Sequence, residues 1–214
     1  MADARSTSTA HREELYRAGA EQYFHFAQVM HEVLMSMATG TWAVEHGAHG
    51  AQAHSCQRAD GAGYYFEYAR SIELSRPAAE ELPARAVTAL RAAQLSVRTT
   101  SFGGDDGGAS GASTASPGQA AQYNVIGAGR GIARATVRTR PATGQVRVQA
   151  CTYCLPGSAA ELNQMVFADD SFDVWRRLPA TEGPSSRPRF HFPPSAPRHY
   201  TADGTPVSPP PKAQ

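Results

Sequence analysis

The stretch "GYYFEYARSIEL", residues 63–74, decides how this chain folds. Tyr64, Phe66, Tyr68, Arg70, Ile72 and Leu74 alternate with Tyr65, Glu67, Ala69, Ser71 and Glu73. A period of two with aromatic enrichment is what a strand needs when one face lies on a core. On its N-terminal side, residues 10–37 carry a helical stripe of Leu15, Ala18, Tyr23, Phe26, Met30, Val33 and Met37, widened by Tyr16, Phe24 and Leu34. Spacings of three to five residues place these on one side of a helix, which Thr39 and Gly40 bring to a stop. "TWAVE" (41–45) reads as a short strand, followed by a loop rich in Gly, Ala and His.

On the C-terminal side, Ser75 and Pro77 open a second helix at 77–95, with Pro83 early enough to be tolerated or to kink it. "SVRTTSF" (96–102) is the next strand, and residues 103–121 have almost nothing to bury and form a flexible hairpin loop. Segments 122–129, 131–140 and 145–153 then read as a meander, with "PATG" as its last turn. Ser158 and Glu161 are spaced as a capping box ahead of a short helix, "AAELNQMVFA". From Leu178 onward the chain holds ten of its fifteen prolines and cannot build a core of its own. The expected organisation is a disordered N-terminus at 1–9, one domain at 10–177, and an extended Pro-rich tail at 178–214. The expected fold is a two-layer α+β domain, its mostly antiparallel sheet covered on one face by the two longer helices.

Composition narrows the function. Twenty basic residues nearly balance nineteen acidic ones, so no overall field recruits nucleic acid or anionic lipid. Nineteen of the twenty are Arg; with the abundant Ala, Gly and Pro, that bias points to a GC-rich genome. The most apolar window, residues 23–38, is interrupted by His25, Gln28, His31 and Glu32 and is too polar to span a membrane. "MADARSTSTA" does not have the character of a signal peptide.

Several motifs invite chemistry. "VIGAGRGIAR" (125–134) has the glycines of a nucleotide loop, but Ile132 occupies the third-glycine position and a strand pattern follows, so a hairpin turn or bulge accounts for it better. His46, His49, His54 and Cys56 are a chemically sufficient set for zinc or copper, though their spacing fits no structural zinc module. Cys151 in "CTYC" ends a strand, whereas a thioredoxin-type cysteine needs a helix N-terminus. The pairs Asp105–Asp106 and Asp169–Asp170 fall in loops, and neither a nucleophile elbow nor a His-Glu-x-x-His run is present. Arg134, Arg138 and Arg140 alternate along one strand, with Arg147 across the hairpin. Such a strip can hold phosphate, although an exposed strand face with arginines is also ordinary. No catalytic, cofactor or metal residue is assigned.

The order of parts, from the first helix through "RSIEL" and "LRAAQLSVRTTSF" to "QVRVQACTYCLPGS", resembles the small secreted lipoprotein-like α+β domains of unknown function from actinobacteria. The likeness spans residues 10–157 and rests on layout. It implies a disulfide between Cys56, before the aromatic strand, and Cys154, just ahead of Pro156. The chain departs from that pattern in having a third cysteine, Cys151, and no N-terminal signal with a lipid-accepting Cys. The resemblance implies a non-enzymatic extracytoplasmic or cell-envelope accessory domain that binds an unknown protein or cell-surface ligand. A cytosolic interaction module that docks through its Pro-rich tail is the alternative expectation.

Overall fold

The computed structural model describes residues 3–45, 52–103, 120–166, 181–184, 189–191, 198–200 and 206–207, with side chains placed for 11–45, 52–102, 122–166 and 181–184. The expected strand at the aromatic stretch is the pivot of the molecule. It is β3, Gly61–Glu73. Its first half pairs with β2 (Ala53–Arg58) and β8 (Leu155–Pro156). The second half pairs with β7 (Gln145–Thr152) on one side and β1 (Trp42–Val44) on the other. Thr152 manages the change of partner: its Oγ1 accepts the Phe66 N–H at 3.0 Å, just past the last β3–β7 pair, Glu67–Cys151.

The meander supplies the rest. β4 (Ser96–Gly103), β5 (Ala120–Gly129) and β6 (Ile132–Arg140) lie beyond β7, and β9 (Thr181–Glu182) lies beyond β1, so the order across the nine-stranded sheet is β4-β5-β6-β7-β3-β1-β9. Every described pairing is antiparallel. The glycine-rich run forms the β5–β6 hairpin: register shifts between Gly127 and Gly129, and Gly129, Arg130 and Gly131 take φ values of 132°, 50° and 81°. Glycine enters that left-handed region without a Cβ penalty.

Three helices cover one face: α1 (Asp3–Met37), α2 (Arg76–Ala92) and α3 (Ala159–Val166). Of the apolar stripe read from the sequence, Tyr16 and Phe24 are half-buried, and Ala18 is exposed, so it does not belong to the stripe. The rest lies in the core, with Leu15, Tyr23, Phe26, Met30, Val33, Leu34 and Met37 buried. They meet Tyr64, Phe66 and Tyr68 of β3, Leu82, Ala86 and Leu90 of α2, and Val137, Val146 and Val148 of the meander. Each large side chain here contributes about 1.5–3 kcal/mol by leaving water. Ser158 caps α3, its Oγ accepting the Glu161 N–H at 3.2 Å, while Glu161 faces Arg12 of α1. Ser75 occupies the N-cap of α2 without a side-chain bond.

Three expectations need correcting. The first helix begins at Asp3, inside the segment 1–9 read as disordered, because no glycine or proline interrupts the polar run that leads into it. Cys56 lies in a strand rather than a loop: its neighbour Ala53 is held by α3, where Asn163 accepts from the Ala53 N–H and donates to its C=O, both at 2.8 Å. The tail is not merely extended. Thr181 and Glu182 join the main sheet, and β10 (Arg189–His191), β11 (Arg198–Tyr200) and β12 (Pro206–Val207) form a separate three-stranded sheet. Most of the 103–121 loop and both aspartate pairs lie outside the described residues.

Candidate functional site

Strand alternation divides the chemistry between two sides of the sheet. On the helix-covered side, Arg70 stands in the same row as Tyr64, Phe66 and Tyr68, with 1% of its surface exposed. A guanidinium cannot remain there unpaired. Its Nε donates to Glu182 Oε2 at 2.7 Å, its Nη1 donates to Ala69 O at 3.0 Å, and its Cζ lies 4.0 Å from the centre of the Tyr68 ring. The other carboxylate oxygen of Glu182 meets His31 Nδ1 of α1 at 2.7 Å, which sets Nδ1 as the protonated nitrogen.

Burial alone would raise the Glu182 carboxyl, but the His31 hydrogen bond and the Arg70 charge outweigh it and hold the group below the ordinary glutamate value. The Tyr68 hydroxyl is buried beside this carboxylate without a well-shaped hydrogen bond. Burial first, then the Glu182 charge, push it well above a tyrosine's ordinary value. The cluster is buried between α1, β3 and β9 and ties Glu182 to the core.

Among the described residues, the opposite side of the sheet carries no helix and is polar. Register places Thr100, Asn124, Arg138, Arg147 and Ser71 in one row across β4, β5, β6, β7 and β3. The row on one side holds Arg140 opposite Gln145; on the other, beyond the Thr136–Gln149 row, Arg134 lies opposite Cys151, which in turn lies opposite Glu67. The four arginines read from the sequence as a strip therefore share one surface. Arg147 pairs with Glu45 at the end of β1, and Arg140 donates to Gln122 and Gln145, each at 3.3 Å. Arg138 has no hydrogen bond or ion pair among the described residues, and its Nε is shielded from solvent. Glu45, Ser71, Arg138, Arg140, Gln145 and Arg147 line a hollow of about 130 Å³. A wider hollow of about 360 Å³ adjoins it past Arg138, reaching Arg134, Glu67 and Cys151.

The cysteines lie at one end of this open side. Cys56 and Cys154 are joined, with 6.1 Å between their Cα atoms and a sequence separation of 98. The register pairs Cys56 with Gly63, and the bond packs against that glycine. A Cβ at Gly63 would lie 2.6 Å from Cys154 Sγ and 2.6 Å from the Leu155 carbonyl oxygen, so only glycine leaves room. Arg58 closes the corner, donating to the Cys154 C=O at 2.9 Å while gripping Asp60.

Cys151 is a free, half-buried thiol, pushed up by burial first and the neighbouring Glu67 charge second, the reverse of what a redox nucleophile requires. His54 stacks on Tyr65 and faces Glu67 at 3.9 Å, while His46 and His49 lie outside the described residues. Among the described residues no three His, Cys, Asp or Glu side chains gather as metal ligands, and no helix is long and apolar enough to cross a membrane.

Sequence reasoning missed Glu182 and His31. The signal for a partner was present, because Arg70 falls in the apolar row of its strand and a buried cation calls for a buried anion. No family model matches the chain, no characterised protein matches its sequence, and no solved structure matches its fold.

Proposed function

We propose that this protein is a non-enzymatic, extracytoplasmic binding domain that presents the uncovered face of its sheet to a ligand. The Cys56–Cys154 bond is the observation that carries this reading. A protein disulfide closing so long a loop persists in oxidising compartments and is rare where thiols are kept reduced. The layout of the open face supports the binding half of the proposal. Its hollows are lined by arginines, glutamines and hydroxyls together with the carboxylates of Glu45 and Glu67, and the one free thiol among the described residues is not activated.

The alternative, a cytosolic module docking through a Pro-rich tail, draws less support. Thr181 and Glu182 are taken up by the domain, and the later strands pair with one another.

The test is to block thiols in intact producing cells before lysis and count the blocked cysteines by mass. One blocked cysteine, with the remaining two joined to each other, is expected. Three blocked cysteines would show a reduced protein and overturn the extracytoplasmic assignment.

A further inference from the structure

We infer that the outer edge of β4 is a pairing surface for a second copy of this chain, joined strand to strand about a two-fold axis at Thr100. The inference goes beyond the binding reading and does not depend on it. β4 is the last strand on its flank of the sheet: Ser96–Gly103 pairs with β5 on one side, and among the described residues no strand pairs with the other. A free edge presents a row of backbone N–H and C=O groups that a further strand can match, and native chains usually blunt it by shortness, proline or charge. Here eight residues carry no proline, and Arg98 is their lone charge. A neighbour also finds room on both faces. Thr99 belongs to the row of the core residues Val125 and Val137, yet it is exposed, so the helices stop short of the strand there. On the open face Arg98 and Thr100 are exposed, and Phe102 keeps 54% of its surface in water.

The order of residues selects the occupant. Directly opposite residues of an antiparallel pair point to the same face, so a two-fold axis between identical strands sets one residue opposite itself. An axis at Arg98 would place two guanidiniums together, which destabilises a sheet. An axis at Thr99 would leave Phe102 against Ser96. With the axis at Thr100, Thr100 meets Thr100, while Thr99 meets Ser101 and Arg98 meets Phe102, each of these twice. Hydroxyl pairs and a guanidinium over an aromatic ring are both favourable cross-strand contacts. Arg98 also borders a hollow of about 330 Å³ that Ile126 and Ala128 help to line, so the arriving Phe102 has apolar surface to cover. The overlap of residues 97–103 supplies about six to eight main-chain hydrogen bonds, because alternate pairs exchange two each. Both copies use the same edge, so the assembly closes at two.

The test is sedimentation velocity on the full chain from about 1 μM to 1 mM. A seam this narrow belongs with the small, weak interfaces, so a monomer–dimer equilibrium with Kd on the order of 10–100 μM is expected. Thr100→Lys brings two like charges together at the axis and should weaken pairing roughly tenfold or more. Phe102→Ser removes both rings and should weaken it roughly fivefold. Gln149→Lys adds the same charge to the same face, on β7 and away from the edge, and should change it less than about twofold. Register is read by mild oxidation against the parent's own background. Thr100→Cys should form a covalent dimer, whereas Ser96→Cys should not, because its two copies would lie ~27 Å apart along the paired strands.

Three results would overturn the inference. The first is a chain that stays monomeric up to about 1 mM, which would leave the edge to a strand of another sequence. The others are Gln149→Lys as damaging as Thr100→Lys, and Ser96→Cys crosslinking as readily as Thr100→Cys. Circular dichroism of each variant separates lost pairing from lost fold, and the Ser96→Cys control accounts for crosslinking through unfolded chains. The outcome is separable from the thiol count, because either can fail while the other holds.

Discussion

The chain is closed on itself twice, and the two closures work by different physics. The Cys56–Cys154 bond sits on the open side of the sheet and links β2 to the segment entering β8. The Glu182 carboxylate sits on the helix-covered side and links β9 to β3 and α1. The first acts mainly on the unfolded chain, removing the freedom of a loop of about a hundred residues. The second acts within the folded state, where three polar groups already out of water must satisfy one another. A covalent closure responds to reductant and ignores acid; the ionic one does the opposite.

The comparison can be broken by experiment, beginning with the covalent side. Replacing Cys56 and Cys154 together by Ser should cost up to about 4–5 kcal/mol in denaturant unfolding, the chain-entropy figure for such a loop. A loss under ~1 kcal/mol would show that the closure does little in the unfolded state. Next in size is Glu182→Ala, which strands the Arg70 guanidinium in the core and should cost about 3–5 kcal/mol.

Its pH signature is distinct. The folded carboxyl is depressed, so its contribution is complete above a glutamate's ordinary value near 4.5 and is lost as pH falls below that through the depressed value. Tyr68 works in the other direction, its buried neutral form losing stability as pH rises past the ordinary value of 10.0. In Glu182→Ala the acid branch should flatten while the effect of reductant stays unchanged. An acid branch identical to the parent's would remove Glu182 from the account.

Gly63→Ala sharpens the comparison, since the added Cβ meets the disulfide sulfur and a backbone oxygen and should cost about 1–3 kcal/mol. The smallest effect is expected for Arg70→Met combined with Glu182→Leu. Replacing both charges by apolar groups should leave stability within ~1 kcal/mol of the parent, far milder than Glu182→Ala alone. A double variant as damaged as the single would mean that the ion pair itself, rather than the avoidance of a stranded charge, stabilises the domain.

These closures also differ in how far they could be read from residues. Local pattern placed β3, α2, β6 and β7 because their alternation or helical stripe is written in adjacent residues. It also placed Arg138 and Arg147 across one hairpin. The link between Cys56 and Cys154 came from resemblance in layout, since spacing alone permits Cys56 to choose between two partners. Glu182 was not legible. It sits in a Pro-rich stretch with no periodicity, 112 residues from Arg70 and 151 from His31, and only the folded chain brings them together. β2 escaped for a related reason: Gly and Ala dominate the approach to it, and its position is fixed by Asn163, which lies 110 residues later.

The two-residue strand β9 has a consequence for how copies of this protein meet. On that flank the sheet ends in Thr181 and Glu182, followed directly by Gly183 and Pro184, so little backbone is left for a neighbouring molecule to pair with. Cleavage ahead of Thr181 would uncover Trp42–Val44 as a bare apolar border. Thr181 and Glu182 thus cover the β1 edge, and the chain clipped ahead of Thr181 should self-associate more than the intact one in sedimentation.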